Sequence, residues 1–146
     1  MKFIHLSKTE IEKFHTPKKL GMNVKPKGLW FACGDDWKEW VRGEMGDDWL
    51  ETYKYEYIAE LDESKLIVLE TVKDIKEFND QFSGDDKFYS IDWDKVKKDT
   101  GKSGIFIKTP NIAKARQKYI WYSTFDICSV AVWKKDAIKT FVEHKI

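Results

Sequence analysis

The apolar residues of this chain fall into short runs whose spacing keeps switching between a strand-like period of two and a helix-like period of about 3.6, and that switching restricts the fold more than any other feature. Phe3-Ile4-His5-Leu6 reads as an opening strand that carries His5. Ser7, with Glu10 three residues on, fits a capping box and predicts a short helix resting on Ile11 and Phe14. Thr16 to Lys27 holds Pro17, Gly21 and Pro26 and reads as a loop, after which Gly28-Leu29-Trp30-Phe31-Ala32 is a second strand. Asp35 and Asp36 are N-cap candidates for a helix with Trp37, Trp40, Val41 and Met45 on one face. Tyr53, Tyr55, Tyr57, Ala59 and Leu61 alternate with polar residues and predict a half-buried strand, whereas the unbroken Leu66-Ile67-Val68-Leu69 predicts a central one. Ile75, Phe78 and Phe82 have helical spacing up to Gly84, and Asp92 caps a helix with Trp93 and Val96 that stops by Gly101. Ile105-Phe106-Ile107 is a strand, Pro110 opens a loop running to Gln117, and Tyr119 to Val142 predicts one or two strands with a turn near Lys134-Lys135.

Helices this short, interleaved this irregularly, do not suit a doubly wound parallel sheet, whose crossover helices are longer and regular. The expectation is an α+β fold with a mixed or antiparallel sheet core and short peripheral helices, forming one domain over residues 1–146 with no repeat or linker. Hydrophobic residues make up 42% of the chain and include seven Trp and nine Phe, enough apolar surface to offset folding entropy without a metal or disulfide.

Charge excludes little but points away from a dedicated nucleic-acid binder. The 26 basic residues nearly match the 25 acidic ones. The clusters Lys18, Lys19, Lys25, Lys27 and Lys95, Lys97, Lys98 read as solvated surface. Met1 to Phe14 lacks a continuous apolar region, which predicts no signal peptide, and no stretch approaches the roughly 20 apolar residues of a membrane span. Cys33 and Cys128 lie far apart, read as small reduced core residues, and place the chain in the cytoplasm.

Most catalytic templates are missing. Gly101-Lys102-Ser103-Gly104 lacks the upstream glycine of a phosphate loop and reads as a turn. There is no G-x-S-x-G elbow, His5, His15 and His144 share no metal-ligand spacing, and Asp35-Asp36, Asp47-Asp48 and Asp85-Asp86 read as caps or turns. What remains is an ordered set: His5-x-Ser7 at the end of the first strand, Gly28 to Ala32 on the second, and a late Asp126 among aromatics. Taken singly each has a plainer role: a hydrogen-bonded strand histidine, a helix cap, core aromatics, a turn acid.

Taken in order, "FIHLSKTEIEKFHTPKKLGMNVKPKGLWFACGDDWKEW" and "WYSTFDICSVAVW" resemble the poly(ADP-ribose)-polymerase-like branch of the ADP-ribosyltransferases, and are similar to small phage and viral proteins of that type. That branch has His-x-Ser/Thr on its first strand, then Gly-x-Tyr-Phe-Ala, then a carboxylate opening a late strand. The resemblance implies NAD as co-substrate and no metal. It implies that His5 hydrogen-bonds a ribose hydroxyl through a ring N–H, that Ser7 anchors the nicotinamide amide, and that Gly28 allows close backbone approach. Trp30, followed by Phe31 in the same motif, would stack on nicotinamide, with Trp37 or Trp40 as the opposite wall. Asp126 would stabilise the oxocarbenium-like ribose. Trp30 stands where the family has Tyr, and Asp126 where it commonly has Glu. Asn111 to Lys118 falls where the family contacts its target, which makes Arg116 a target-binding candidate, with Trp121 just beyond it a second. A second alignment puts Trp121 at the carboxylate position and implies a non-catalytic homologue. The expected function is mono-ADP-ribosyl transfer to a macromolecular acceptor, protein rather than nucleic acid, by a viral or bacterial effector with no membrane association. The alternatives are a catalytically weakened binding protein of the same fold and an unrelated interaction domain.

Overall fold

The computed structural model describes residues 2–12 and 25–146. The strands are β1 (Phe3–Ser7), β2 (Leu29–Cys33), β3 (Tyr55–Leu61), β4 (Leu66–Leu69), β5 (Gly104–Ile107), β6 (Ser129–Val132) and β7 (Ile138–Lys145). They form one sheet in the order β4-β5-β6-β2-β1-β3-β7. Among the described strands β4 and β5 run parallel, joined by the long crossover that parallel neighbours need, and the other ladders are antiparallel. The α+β class and the mixed sheet therefore agree with the sequence.

The helices are α1 (Asp36–Glu44), α2 (Asp47–Leu50), α3 (Val72–Phe82), α4 (Trp93–Thr100), α5 (Ala113–Lys118) and α6 (Ile120–Ser123). The capping box that starts α3 is made by Thr71, whose hydroxyl accepts from the Asp74 N–H while the Asp74 carboxylate accepts from the Thr71 N–H. α4 has the expected Asp92 cap, its carboxylate accepting from the Lys95 N–H, and ends at Gly101 with φ of 63°.

Apolar side chains cover both faces of the middle of the sheet. Ile105 and Ile107 of β5 and Ala131 of β6 face a cluster built with Ile75, Phe78, Trp93, Trp121 and Phe125. Phe106, Val130 and Val132 face the other way, with Phe3, Phe31, Cys33, Ala59 and Leu61. The sheet curls around this second cluster. Phe3 of β1 meets Phe106 of β5 at 5.5 Å, and Phe31 of β2 meets Phe141 of β7 at 6.2 Å, although other strands lie between each pair.

Several expectations are corrected. Residues 8–12 do not form the start of a helix, because the Ser7 hydroxyl closes a turn on itself, bonding Thr9 N–H and C=O. Phe14, His15, Pro17, Lys18, Lys19 and Gly21 lie outside the described residues. Leu66–Leu69 is an edge strand, not a central one: its outward Val68 is exposed, so an unbroken apolar run did not mean cover on both faces. The stretch read as a loop after Pro110 winds into α5, since Ala, Lys, Arg and Gln are strong helix formers and Pro110 lies ahead of its first turn. The final segment opens with α6 rather than a strand.

The two cysteines are not reduced. Cys33 and Cys128 form a disulfide with a Cα–Cα distance of 5.5 Å. Ala32 faces Ser129 across β2 and β6, so the next pair in register is Cys33 and Cys128, and the Cys33 N–H donates to the Cys128 carbonyl at 3.1 Å. Sequence distance concealed a neighbour relation that strand pairing creates. The pairing also removes the thiol argument for a cytoplasmic location, since disulfides are rare there. No helix among the described residues is long and apolar enough to cross a membrane.

Candidate functional site

The β1–β2 ladder is the short one. It holds only Phe3 against Cys33 and Ile4 against Ala32, whereas β1 pairs with β3 through five positions and β2 with β6 through four. Beyond Ile4 and Ala32 the two strands stay with their outer partners and part from each other. At the parting lies a cleft of about 360 Å³, within the usual size of a small-ligand pocket. Its walls include His5, Lys25, Trp30, Trp37, Tyr53 and Asp126.

His5 bridges the parting. Its Nδ1 lies 2.5 Å from the Trp30 carbonyl oxygen, and a carbonyl only accepts, so Nδ1 carries the proton. Burial holds the imidazole pKa below its ordinary 6.5, against a smaller upward pull from that carbonyl. A neutral ring donating through Nδ1 leaves Nε2 as an acceptor, so a ligand hydroxyl would donate to His5 rather than receive from it. Phe31 packs edge-on to His5 at 6.1 Å and is buried in the curled face of the sheet.

Trp30 is half-buried, with Phe125 at 5.7 Å between ring centres and a 35° tilt. The Lys25 ammonium sits over both rings, 5.7 Å from Trp30 and 5.4 Å from Phe125. Burial there lowers the Lys25 pKa, and the negative Asp126 opposes the shift. Asp126 lies on the α6–β6 connection, three residues before β6 begins, with its side chain 46% exposed. Its Oδ1 is 3.9 Å from Arg116 Nη2.

The other anticipated residues take different places. The Ser7 hydroxyl is spent on Thr9 and does not line the cleft. A Cβ on Gly28 would stand 2.6 Å from the Val132 carbonyl oxygen, so the close approach that needs glycine is to β6 of the same chain. Trp37 lines the cleft; Trp40 stacks behind it at 5.0 Å, nearly parallel. Arg116, on α5, clamps the chain on either side of it, donating to the Pro110 carbonyl at 3.1 Å and the Phe125 carbonyl at 2.9 Å. Trp121 is 0% exposed, its indole N–H donating to Asn79 at 2.9 Å, so it is a core residue with no surface for a target.

Several residues around the cleft were not anticipated from sequence as site residues, among them Lys25, Tyr53, Phe125 and Ile127. A second cavity of about 520 Å³ shares Leu6 and Tyr53 with the cleft and was also missed. In its wall Glu56 is only 8% exposed, with Lys38 Nζ 2.5 Å from Oε1 and His144 Nδ1 3.3 Å from Oε2. Burial alone would raise the Glu56 pKa, but the hydrogen bonds and charges of Lys38 and His144 bring it below the ordinary value. The available signal was an acid inside the alternating strand Tyr55–Leu61, opposite His144 in the β7 register. Among the described residues no group of three or more His, Cys, Asp or Glu is placed to hold a metal ion.

No family model, curated protein or solved structure matches this chain. The ADP-ribosyltransferase resemblance is thus carried by the quoted motifs alone.

Proposed function

We propose that the chain binds NAD in the β1–β2 cleft, breaks the nicotinamide–ribose bond and transfers ADP-ribose to a macromolecular acceptor, on a split sheet of ADP-ribosyltransferase type. The observation that supports this reading is the convergence of His5, Trp30 and Asp126, from three separate parts of the sequence, on one cleft. Each brings a different requirement of the reaction. Trp30 offers an aromatic surface for the nicotinamide ring. His5, fixed by the Trp30 carbonyl, offers Nε2 to a ribose hydroxyl. Asp126 offers negative charge where the ribose becomes positive as the C–N bond breaks, its electron pair leaving with nicotinamide. The acceptor nucleophile then bonds to the ribose carbon, and its proton passes to the carboxylate or to water. The rest of a dinucleotide would continue past Leu6 and Tyr53 toward the second cavity.

A second reading has its own support. Asp126 is exposed and drawn toward Arg116, and such a partner reduces the charge available to a transition state. On that reading the chain keeps ligand binding and acts by occupying a partner protein.

Incubation with labelled NAD and a cell lysate tests both. The enzyme reading expects nicotinamide release and a labelled macromolecule. It also expects Asp126→Asn to keep NAD binding while transfer falls by orders of magnitude, because the lost charge acts mainly in the transition state. NAD binding without cleavage by the unaltered chain assigns the binding reading. Failure to bind NAD ends both.

A further inference from the structure

The place of Lys25 has a consequence for which ligands the cleft admits. Two aromatic rings and a carboxylate around one positive group make a cation-binding arrangement: the ring faces are electron-rich and the carboxylate supplies full charge. Here the positive group is the chain's own. The Lys25 ammonium lies 5.7 Å from Trp30 and 5.4 Å from Phe125, over the rings that would receive a ligand. Phe125 is only 2% exposed and Trp30 half-buried, so this wall is fixed by the core behind it, whereas Lys25 is an exposed residue on a flexible side chain. Among the described residues the charged groups on this side of the cleft are Lys25, Asp126 and Arg116, and Arg116 is held by two backbone carbonyls.

We infer that Trp30, Phe125 and Asp126 form a cage for the cationic ring of a pyridinium ligand, and that Lys25 fills this cage as an internal competitor which the ligand has to displace. The choice of a pyridinium rests on the NAD reading above; the cage itself rests on the contacts of Lys25. Partial desolvation disfavours the ammonium where it sits, in line with the downward pull on its pKa, so moving it into water regains solvation and offsets part of the contacts it gives up. A cleft built this way prefers NAD, whose nicotinamide ring is positive, over its reduced form, whose ring is neutral. It also reverses the ordinary expectation for a lysine beside a dinucleotide, which is that removing it weakens binding.

The test is a tryptophan-fluorescence titration of the unaltered chain, Lys25→Ala and Lys25→Arg, with melting curves to show that all three are folded. The probes are 1-methylnicotinamide, nicotinamide, NAD and tetramethylammonium. The inference expects Lys25→Ala to bind 1-methylnicotinamide and NAD roughly 3- to 30-fold more tightly, the span of a cation–aromatic interaction. Neutral nicotinamide gains less, and Lys25→Arg stays close to the unaltered chain. Unchanged or weaker NAD binding by Lys25→Ala overturns the inference and leaves the NAD reading standing. Tetramethylammonium binding that strengthens in Lys25→Ala, with no NAD binding by any variant, supports the cage and overturns the NAD reading. No gain for any cation overturns the cage.

Discussion

Reducing the Cys33–Cys128 disulfide should cost this protein a large part of its stability. The bridge joins positions 95 residues apart, so in the unfolded chain it closes a loop that takes in most of the sequence. The chain-entropy relation for a loop of that length gives about 4.7 kcal/mol at 25 °C, an upper value because reduced native states relax and unfolded chains are not random. A loss of about 2–4 kcal/mol is expected, against a total of about 5–15 kcal/mol for a domain of ordinary stability. With a urea m-value of about 2 kcal/mol/M, the unfolding midpoint falls by about 1–2 M. The assay is urea unfolding of oxidised protein, reduced protein, and a Cys33→Ala/Cys128→Ala variant, with thiol titration to establish the state of each sample. The m-value should rise slightly on reduction, since the unfolded chain is freed to expand. A fully reduced sample with the same midpoint as the oxidised one would show that the two cysteines do not constrain the chain as described.

Gly28→Ala should destabilise by about 1–3 kcal/mol, because the new Cβ meets the Val132 carbonyl oxygen, a backbone atom of β6, at 2.6 Å; an unchanged melting temperature would refute the close packing of Gly28 on β6. His5 contributes a pH dependence of known sign. Its folded pKa lies below the ordinary 6.5, so its contribution is present above that value and is lost as pH falls through the folded pKa, because the unfolded state takes up the proton first. The stability advantage of the unaltered chain over His5→Gln should therefore shrink as pH is lowered below about 6.5; an advantage that grows on acidification contradicts the neutral, Trp30-bonded ring. Glu56→Ala should destabilise by about 1–3 kcal/mol, since Lys38 and His144 lose the acceptor they share; chemical denaturation of the variant checks this.

Local period and local capping were readable in the sequence because they depend on nearby residues only. His5 on a first strand, Trp30 on a second, the Ile75-Phe78-Phe82 face of α3 and the Asp92 cap of α4 all stand where their spacing put them. What was not readable depends on which strand lies beside which. The disulfide exists because β2 and β6 are neighbours, β4 is an edge because nothing pairs outside it among the described residues, and Gly28 is needed because β6 crosses it. The same holds for the site. That His5, Trp30 and Asp126 would share a cleft followed from a resemblance in motif order, not from composition or period. Competing local bonds decided against Ser7, and burial decided against Trp121, neither of which a motif can express.

Whether the cleft between β1 and β2 is a nicotinamide site is tested most directly by one binding measurement: NAD titrated by calorimetry into the unaltered chain and into Trp30→Ala. A nicotinamide site there gives saturable binding with one NAD per chain, weakened in the folded variant by about 1–3 kcal/mol, the range for loss of one aromatic stacking partner. No detectable NAD binding by the unaltered chain, or the same affinity in a folded Trp30→Ala, would contradict it.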